Sequence, residues 1–217
     1  MRTIKLTLVV AVLLIVPLAA SGQWVSVSAI KTTWRKETAP NGKLLQDTTS
    51  TGHYYRSTDG SVATVTTQTG SNGELQFKTG KLLDNSALAV YTIDYRNKIA
   101  YRESVLRQPR QFQDDPSIYA QVHEHGTVDR IPCVVLPILE NGKPIGKVWK
   151  SPKYDLVLKM DFTVNNSGER THITTQLSKV HLNAKISEAV FQLPTNFTVM
   201  NTPAKAPKHP GTMSMFP

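Results

Sequence analysis

Apolar and polar residues alternate with a period of two along much of this chain, which is the spacing of a β-strand. In the clearest case Tyr154, Leu156, Leu158, Met160 and Phe162 are separated by Asp155, Val157, Lys159 and Asp161. Strict alternation predicts a long strand with one buried face and one mostly hydrated face. Shorter runs rich in Val, Thr and Tyr predict further strands on either side of it.

Turn signals separate these runs and set the number of strands. Asp59-Gly60, Arg96-Asn97-Lys98, Glu140-Asn141-Gly142-Lys143 and Asn165-Asn166-Ser167-Gly168 each predict a tight connection. We therefore expect about ten strands, with a one-turn helix at Ser187–Phe191 that Ser187 caps. The long helical crossovers of a parallel sheet are absent from the pattern. A strongly curved single antiparallel sheet, a closed barrel and a sandwich all remain open at this point.

The N-terminus predicts where the protein works. Arg2 and Lys5 precede an apolar run from Leu6 to Ala20, and small residues lead to Gly22. This layout predicts a secretory signal peptide over residues 1–22 and hence a periplasmic or extracellular protein. The alternative is an uncleaved anchor, but the run is short and Pro17 interrupts it. We expect one β domain over residues 23–200, a disordered tail over 201–217, and no integral membrane span after cleavage.

Charge and cysteine content narrow the partners. The chain carries 25 Lys and Arg against 16 Asp and Glu, a formal net charge of +9. Its densest basic group comprises Lys143, Lys147, Lys150, Lys153 and Lys159, which fits a solvated face or attraction to an anionic surface. Nucleic acid is not expected, because no basic run is interleaved with stacking aromatic residues. Cys133 is the only cysteine and lies in an apolar run, so we predict a buried thiol and no internal disulfide.

The C-terminal half has an order of features that resembles a known family. Ile131-Pro132-Cys133 is followed by Val148-Trp149-Lys150-Ser151-Pro152, the alternating strand, and the closing segments Val190-Phe191-Gln192-Leu193-Pro194 and Phe197-Thr198-Val199. Over roughly residues 88–200 this order resembles the bacterial periplasmic LolA/LolB-like proteins, the outer-membrane lipoprotein carriers and their uncharacterised secreted relatives. The resemblance implies a mainly β fold in which one curved antiparallel sheet forms an incomplete barrel. It also implies that a few short helices plug the concave side, which in the carriers holds an acyl chain.

No motif names a reaction, a metal or a cofactor. His123 and His125 are two residues apart and so share one face of a strand, but a metal site needs further ligands, for which His172 or His181 are candidates. Ordinary polar residues on a wet face explain the pair equally well, and we expect no metal and no cofactor. The Gly-x-Ser-x-Gly nucleophile motif is absent from the sequence, although cross-strand carboxylates leave a secreted hydrolase open.

The alternating strand is the best candidate for a ligand site. Its apolar residues, together with Trp149 on the preceding strand, would bind a lipid or a lipoprotein acyl chain. The proposed ligand-binding residues are Trp149, Tyr154, Leu156, Leu158, Met160 and Phe162. The alternative is that they form ordinary core, in which case the domain would be an envelope protein–protein interaction module that docks through a sheet edge or its lysine-rich surface. The leading prediction is a non-enzymatic periplasmic binding protein for an apolar ligand.

Overall fold

The computed structural model describes residues 24–69, 75–104, 124–140, 142–166 and 168–201. The predicted signal peptide, His123 and residues 202–217 of the predicted tail lie outside these ranges. Asn201, the first residue of that predicted tail, is instead the last residue of a strand.

In the described part of the chain, twelve strands form a single sheet, as the curved-sheet prediction requires. Their order across the sheet is β12-β6-β5-β4-β3-β2-β1-β11-β10-β9-β8-β7, with β12 and β7 at its edges. The strands span Val27–Thr38 (β1), Leu44–Arg56 (β2), Val62–Thr69 (β3), Leu75–Asp84 (β4), Ala89–Asp94 (β5), Ile99–Ser104 (β6), His125–Val128 (β7), Ile131–Glu140 (β8), Lys143–Ser151 (β9), Leu156–Asn166 (β10), Glu169–Leu182 (β11) and Thr198–Asn201 (β12).

Neighbouring strands are antiparallel except at one edge, where β12 pairs in parallel with β6. The predicted turns are the hairpin connections. Gly60, Gly142 and Gly168 adopt positive φ angles of 87°, 76° and 91°, a backbone conformation that glycine adopts without steric cost. Asp94 accepts hydrogen bonds from the backbone N–H groups of Arg96 and Asn97, which fixes the β5–β6 turn.

Arg56 shows in which direction the sheet curls. It lies at the end of β2 and is opposite Val27 of β1, so both side chains project from one face. Its guanidinium donates to the carbonyl oxygens of Tyr154 at 2.8 Å and Asp155 at 2.6 Å, in the β9–β10 turn. That turn is several strands away along the sheet, so the sheet closes toward the face that carries Arg56. We call this concave face the inner face.

Apolar side chains pack together at the end of the curved sheet where Arg56 contacts the β9–β10 turn. Val27 and Ala29 of β1 pack there with strands from the other half of the sheet, and half-buried Tyr54, Trp149 and Tyr154 border them. We call this cluster the closed end; its buried members are Val27, Ala29, Val128, Ile131, Cys133, Leu156, Leu158 and Leu177. Cys133 is buried as predicted, and desolvation raises the pKa of its thiol.

The strand predicted most clearly is present but does not form one uninterrupted row. It begins at Leu156, because Tyr154 lies in the preceding turn and Asp155 has a φ of 45°. The register against β9 shifts between Val157 and Lys159, which indicates a β-bulge. Leu156, Leu158, Met160 and Phe162 are buried in alternation as predicted, and only Tyr154 lies outside the strand. Leu156 and Leu158 join the closed end, whereas Met160 and Phe162 join a second cluster.

The predicted one-turn helix is a 3₁₀ helix at Glu188–Phe191, and the Ser187 hydroxyl accepts a hydrogen bond from the Ala189 backbone N–H. The segment from Val190 to Phe197 packs on a third cluster, formed by Ala63, Leu82, Ile93 and Ala100. Ala63 is opposite Tyr55, which neighbours Arg56 on β2, so its side chain projects away from the inner face, to the outer face. The resemblance implied short helices on the concave side, but this helix, the only one in the described ranges, lies on the outer face.

Within the ranges that the structure describes, no helix is both long enough and apolar enough to cross a membrane.

Candidate functional site

The inner face of the C-terminal half of the sheet is apolar. Cross-strand partners connect Leu136 to Val148, Val148 to Met160, and Phe162 to Ile173, and directly opposite residues share a face. The buried residues of this cluster, which we call the apolar wall, are Val134, Leu136, Ile138, Val148, Met160 and Phe162. Each is at most 8% exposed. These side chains therefore pack against one another and against half-buried Ile145, Val157, Val164 and Ile173.

The inner face of the N-terminal half is polar and carries a shallow groove of about 180 Å³. We call it the lysine groove; it is lined by Lys31, Thr33, Ser50, Thr64, Thr66, Thr79, Gly80 and Lys81. Lys31 is opposite Gly52, which is opposite Thr66, so a residue without a side chain lies in the middle of this row. A Cβ on Gly52 would lie 1.9 Å from the Val65 carbonyl oxygen, so the close strand approach requires glycine here.

Lys31 is electrostatically unusual. Burial lowers its pKa to about 8, and repulsion from Lys81 acts in the same direction. Among the described residues, those that line the lysine groove include no Asp or Glu. The arrangement therefore presents two ammonium groups and five hydroxyl groups to one small space, which is suited to an anionic oxygen ligand.

The predicted ligand residues divide between the wall and the closed end. Met160 and Phe162 lie on the apolar wall. Leu156 and Leu158 are 2% and 1% exposed within the closed end, where half-buried Trp149 and Tyr154 pack against the same cluster. The structure thus brings the six predicted residues into two adjacent clusters rather than one surface.

Sequence reasoning missed the lysine groove. Its signal was present, because Thr64 and Thr66 alternate with Val65 on one strand and Lys31 and Thr33 recur at the same spacing on another. The alternation of threonine with other β-forming residues was taken only to predict a strand. Threonine hydroxyl groups can, however, line the concave face of a sheet as well as its solvated outer face.

The lysine-rich surface is not a single docking face. Lys150 is 2% exposed, and its Nζ lies 2.5 Å from Asp155 Oδ1 in an ion pair. Lys147 pairs with Glu124 at 2.8 Å, and the Lys153 ammonium lies 5.2 Å from the Tyr154 ring centroid. A docking surface that relies on Lys150 is therefore wrong.

The candidate metal ligands do not form a metal centre in the described ranges. Three or more His, Cys, Asp or Glu side chains do not come close enough there to hold a metal ion. Asp161 and His172 are 3.6 Å apart on the exposed face, and Thr163 Oγ1 is 3.0 Å from His172 Nδ1. Both partners of the pair are more than one-third exposed, so the site lacks the water-excluding pocket in which such a pair would be activated.

Comparisons with solved structures find similarity across most of the chain at low sequence identity. An uncharacterized conserved protein from Thermus thermophilus is 8% identical, with a TM-score of 0.46, over 80% of this chain and 90% of that one. MucB is 14% identical, with a TM-score of 0.44, over 83% of this chain and 62% of MucB. In the Pseudomonas aeruginosa MucA/MucB complex the identity is 16% and the TM-score 0.38, over 81% and 59% of the two chains.

This chain spans about 60% of the length of the MucB chains it matches. No family model matches the chain, and no curated protein matches it either. The similarity is one of overall architecture between distant chains, and the function has to be argued from the residues themselves.

Proposed function

We propose that this is an exported, non-enzymatic binding protein that holds an apolar ligand, a lipid or a lipoprotein acyl chain, on the inner face of its curved sheet. The observation that carries the proposal is the apolar wall. Six apolar side chains cluster on a sheet face that curls toward the protein interior, which is the chemistry that a hydrocarbon chain requires of a binding surface.

The apolar wall accounts for affinity without any reactive group. Each CH₂ transferred from water to such a surface contributes about 0.8 kcal/mol, so a chain of a dozen carbons gains enough to offset the cost of immobilising it. Met160 contributes an unbranched, polarisable side chain that adapts to ligands of different shape. Met160 and Phe162 are the proposed contact residues, and Trp149, Tyr154, Leu156 and Leu158 support them from the closed end.

A displacement titration tests this proposal. The exported protein, stripped of co-purified lipid, is titrated with the fluorescent apolar probe N-phenyl-1-naphthylamine, which 1-dodecanol should then displace. Met160→Gln keeps the side-chain length but places an amide on the wall, and we expect about tenfold weaker dodecanol binding. Thr163→Gln, on the outer face of the same strand, is the matched control and should bind as the wild type does.

Ile173→Thr, a milder change opposite Phe162, serves as a second variant if Met160→Gln unfolds. Circular dichroism at the assay temperature checks that each variant is folded. The absence of saturable probe binding to the wild-type protein would refute the proposal, as would an equal effect of the wall variants and the Thr163 variant.

The sheet edge supports a second candidate, an envelope protein–protein interaction module. All four residues of edge strand β12 are exposed, and Val199 and Met200 are 48% and 47% exposed. An exposed edge can accept a strand from another chain. Met200→Lys should then abolish capture of a specific envelope partner while leaving dodecanol binding unchanged. If the Met200→Lys variant still captures the partner, the edge strand does not have this role.

A further inference from the structure

The lysine groove and the apolar wall occupy the same inner face. Thr33 lines the groove and is opposite Thr175 of β11, with their hydroxyl oxygens 3.0 Å apart. Thr175 is in turn opposite Met160 of β10 on the apolar wall. Because adjacent strands are about 4.8 Å apart, the groove and the wall are separated by only about 10 Å along the sheet. A twelve-carbon chain is therefore long enough to reach from the groove to the wall.

The groove is built for a negatively charged group. Lys31 lies on β1 and Lys81 on β4, and between them the groove presents hydroxyl groups and the bare backbone of Gly52. Two ammonium groups that face the same small space repel each other. An anion placed between them removes that repulsion and accepts charge-assisted hydrogen bonds from both.

The volume of the groove limits what it can hold. About 180 Å³ accommodates a carboxylate, phosphate or sulfate group but is smaller than the 300–1,000 Å³ typical of pockets that enclose a whole drug-sized ligand. The remainder of a larger ligand has to leave the groove. In the direction of β11 and β10 it meets the apolar wall.

We propose that the lysine groove binds the anionic head group of a single-chain amphiphile whose hydrocarbon tail lies on the apolar wall. This inference rests on the proposed function, because it assigns the head group of a ligand whose chain the wall holds. Lys31 and Lys81 neutralise the head group, and Thr33, Thr66 and Thr79 donate hydrogen bonds to its oxygens. The ligand class is therefore an anionic amphiphile such as a fatty acid or an alkyl phosphate, rather than a neutral lipid.

Three probes separate the head group from the tail. Laurate and 1-dodecanol have twelve-carbon chains and differ in charge, whereas inorganic phosphate is a head group without a chain. Each is titrated below its aggregation concentration by isothermal calorimetry. We expect wild-type protein to bind laurate at least about tenfold more tightly than dodecanol, and phosphate only weakly.

Lys31→Gln and Lys81→Gln should each weaken laurate binding about tenfold and leave dodecanol binding unchanged. Lys43→Gln, at an exposed turn outside the groove, is the matched charge control and should change neither affinity. Because Lys81 is exposed, its replacement should fold normally even if the Lys31 variant does not.

The outcomes distinguish this inference from the function on which it rests. If laurate and dodecanol bind equally and the lysine variants change neither, the head-group assignment is wrong while the apolar site stands. If neither compound binds, the proposed function fails as well. Lysine-dependent phosphate binding that gains nothing from a hydrocarbon chain would identify the groove as a free-anion site and would overturn the amphiphile proposal.

Discussion

At the scale of single residues, two cations on the inner face, buried Arg56 and half-buried Lys31, have opposite roles. Arg56 donates to the carbonyl oxygens of Val25, Tyr154 and Asp155 and so joins the two halves of the curved sheet. Its charge is partly desolvated, which lowers its pKa, but its hydrogen bonds satisfy backbone groups that would otherwise be buried without partners. Lys31, in contrast, is partly desolvated and lies near a second cation, Lys81, and both effects disfavour the charged form of Lys31.

Replacing Arg56 with methionine should destabilise the protein. The variant keeps most of the apolar side-chain volume but leaves three backbone acceptors without their donor, and we expect a loss of about 2–4 kcal/mol in the free energy of unfolding. Urea denaturation followed by circular dichroism measures this loss. Arg35→Met, which removes an exposed arginine paired with Glu37, should change the free energy by less than about 0.5 kcal/mol. Equal losses in the two variants would contradict the role given to Arg56.

Replacing Lys31 with methionine should stabilise the unliganded protein at neutral pH. The folded-state pKa is about 8 and the usual value is 10.5, so the unfolded chain binds more protons between these values. The penalty from the charged lysine is fully present below pH 8 and disappears as the pH rises toward 10.5. Since Lys31 is half-buried, we expect a gain of about 1 kcal/mol at pH 7 and a much smaller gain at pH 10.

Thermal melts of wild type, Lys31→Met and Lys43→Met at both pH values measure this difference. Lys81 on β4 is the other charged group that lines the groove, and its titration is common to all three proteins. A gain for Lys31→Met that is the same at pH 7 and pH 10 would show that the charge carries no such penalty.

At the scale of elements, sequence patterns were most reliable where one face is apolar and the other polar. The β10 pattern and the turns at Gly60, Gly142 and Gly168 were predictable, because local sterics and burial act within a few residues. The bulge after Val157 was not, because register depends on the neighbouring strand β9.

Strands β1 and β2 were predicted only in part. The two strands span Val27–Thr38 and Leu44–Arg56, and alternation of apolar and polar residues does not continue along the whole of either. Residues such as Lys31, Thr32 and Thr33 are polar on both faces, so alternation cannot reveal the strand. This failure coincides with the lysine groove, as expected where functional residues replace apolar ones on the inner face.

The close approach of β2 and β3 at Gly52 yields a prediction at this scale. Gly52→Ala would place a Cβ 1.9 Å from the Val65 carbonyl oxygen, and backbone atoms on both strands would have to move apart. We expect a loss of about 1–3 kcal/mol in the free energy of unfolding, together with weaker laurate binding because the groove floor shifts. Thr51→Ala, at the exposed neighbouring position, is the control. A folded Gly52→Ala variant of wild-type stability would contradict the required close approach.

At the scale of the whole molecule, the family resemblance implied a single curved sheet, whereas the residue pattern left a barrel and a sandwich open and did not predict how the parts are arranged. The return of β11 to pair with β1, the parallel pairing of β12 and the contact of Arg56 with the β9–β10 turn all join residues far apart in the chain. Local patterns carry no information on such pairings. The separation of the inner face into an apolar wall and a lysine groove follows from them, which is why the predicted site included only Met160 and Phe162 of the wall and missed the groove.

Native mass spectrometry of the protein purified from the envelope of its expression host tests the central claim most directly. If the inner face holds an anionic amphiphile, the wild-type spectrum should contain a complex heavier than the polypeptide by the mass of one such lipid, and Lys31→Gln should lose it. A spectrum that shows only the unliganded mass, under conditions in which a known lipid carrier keeps its lipid, would contradict the account.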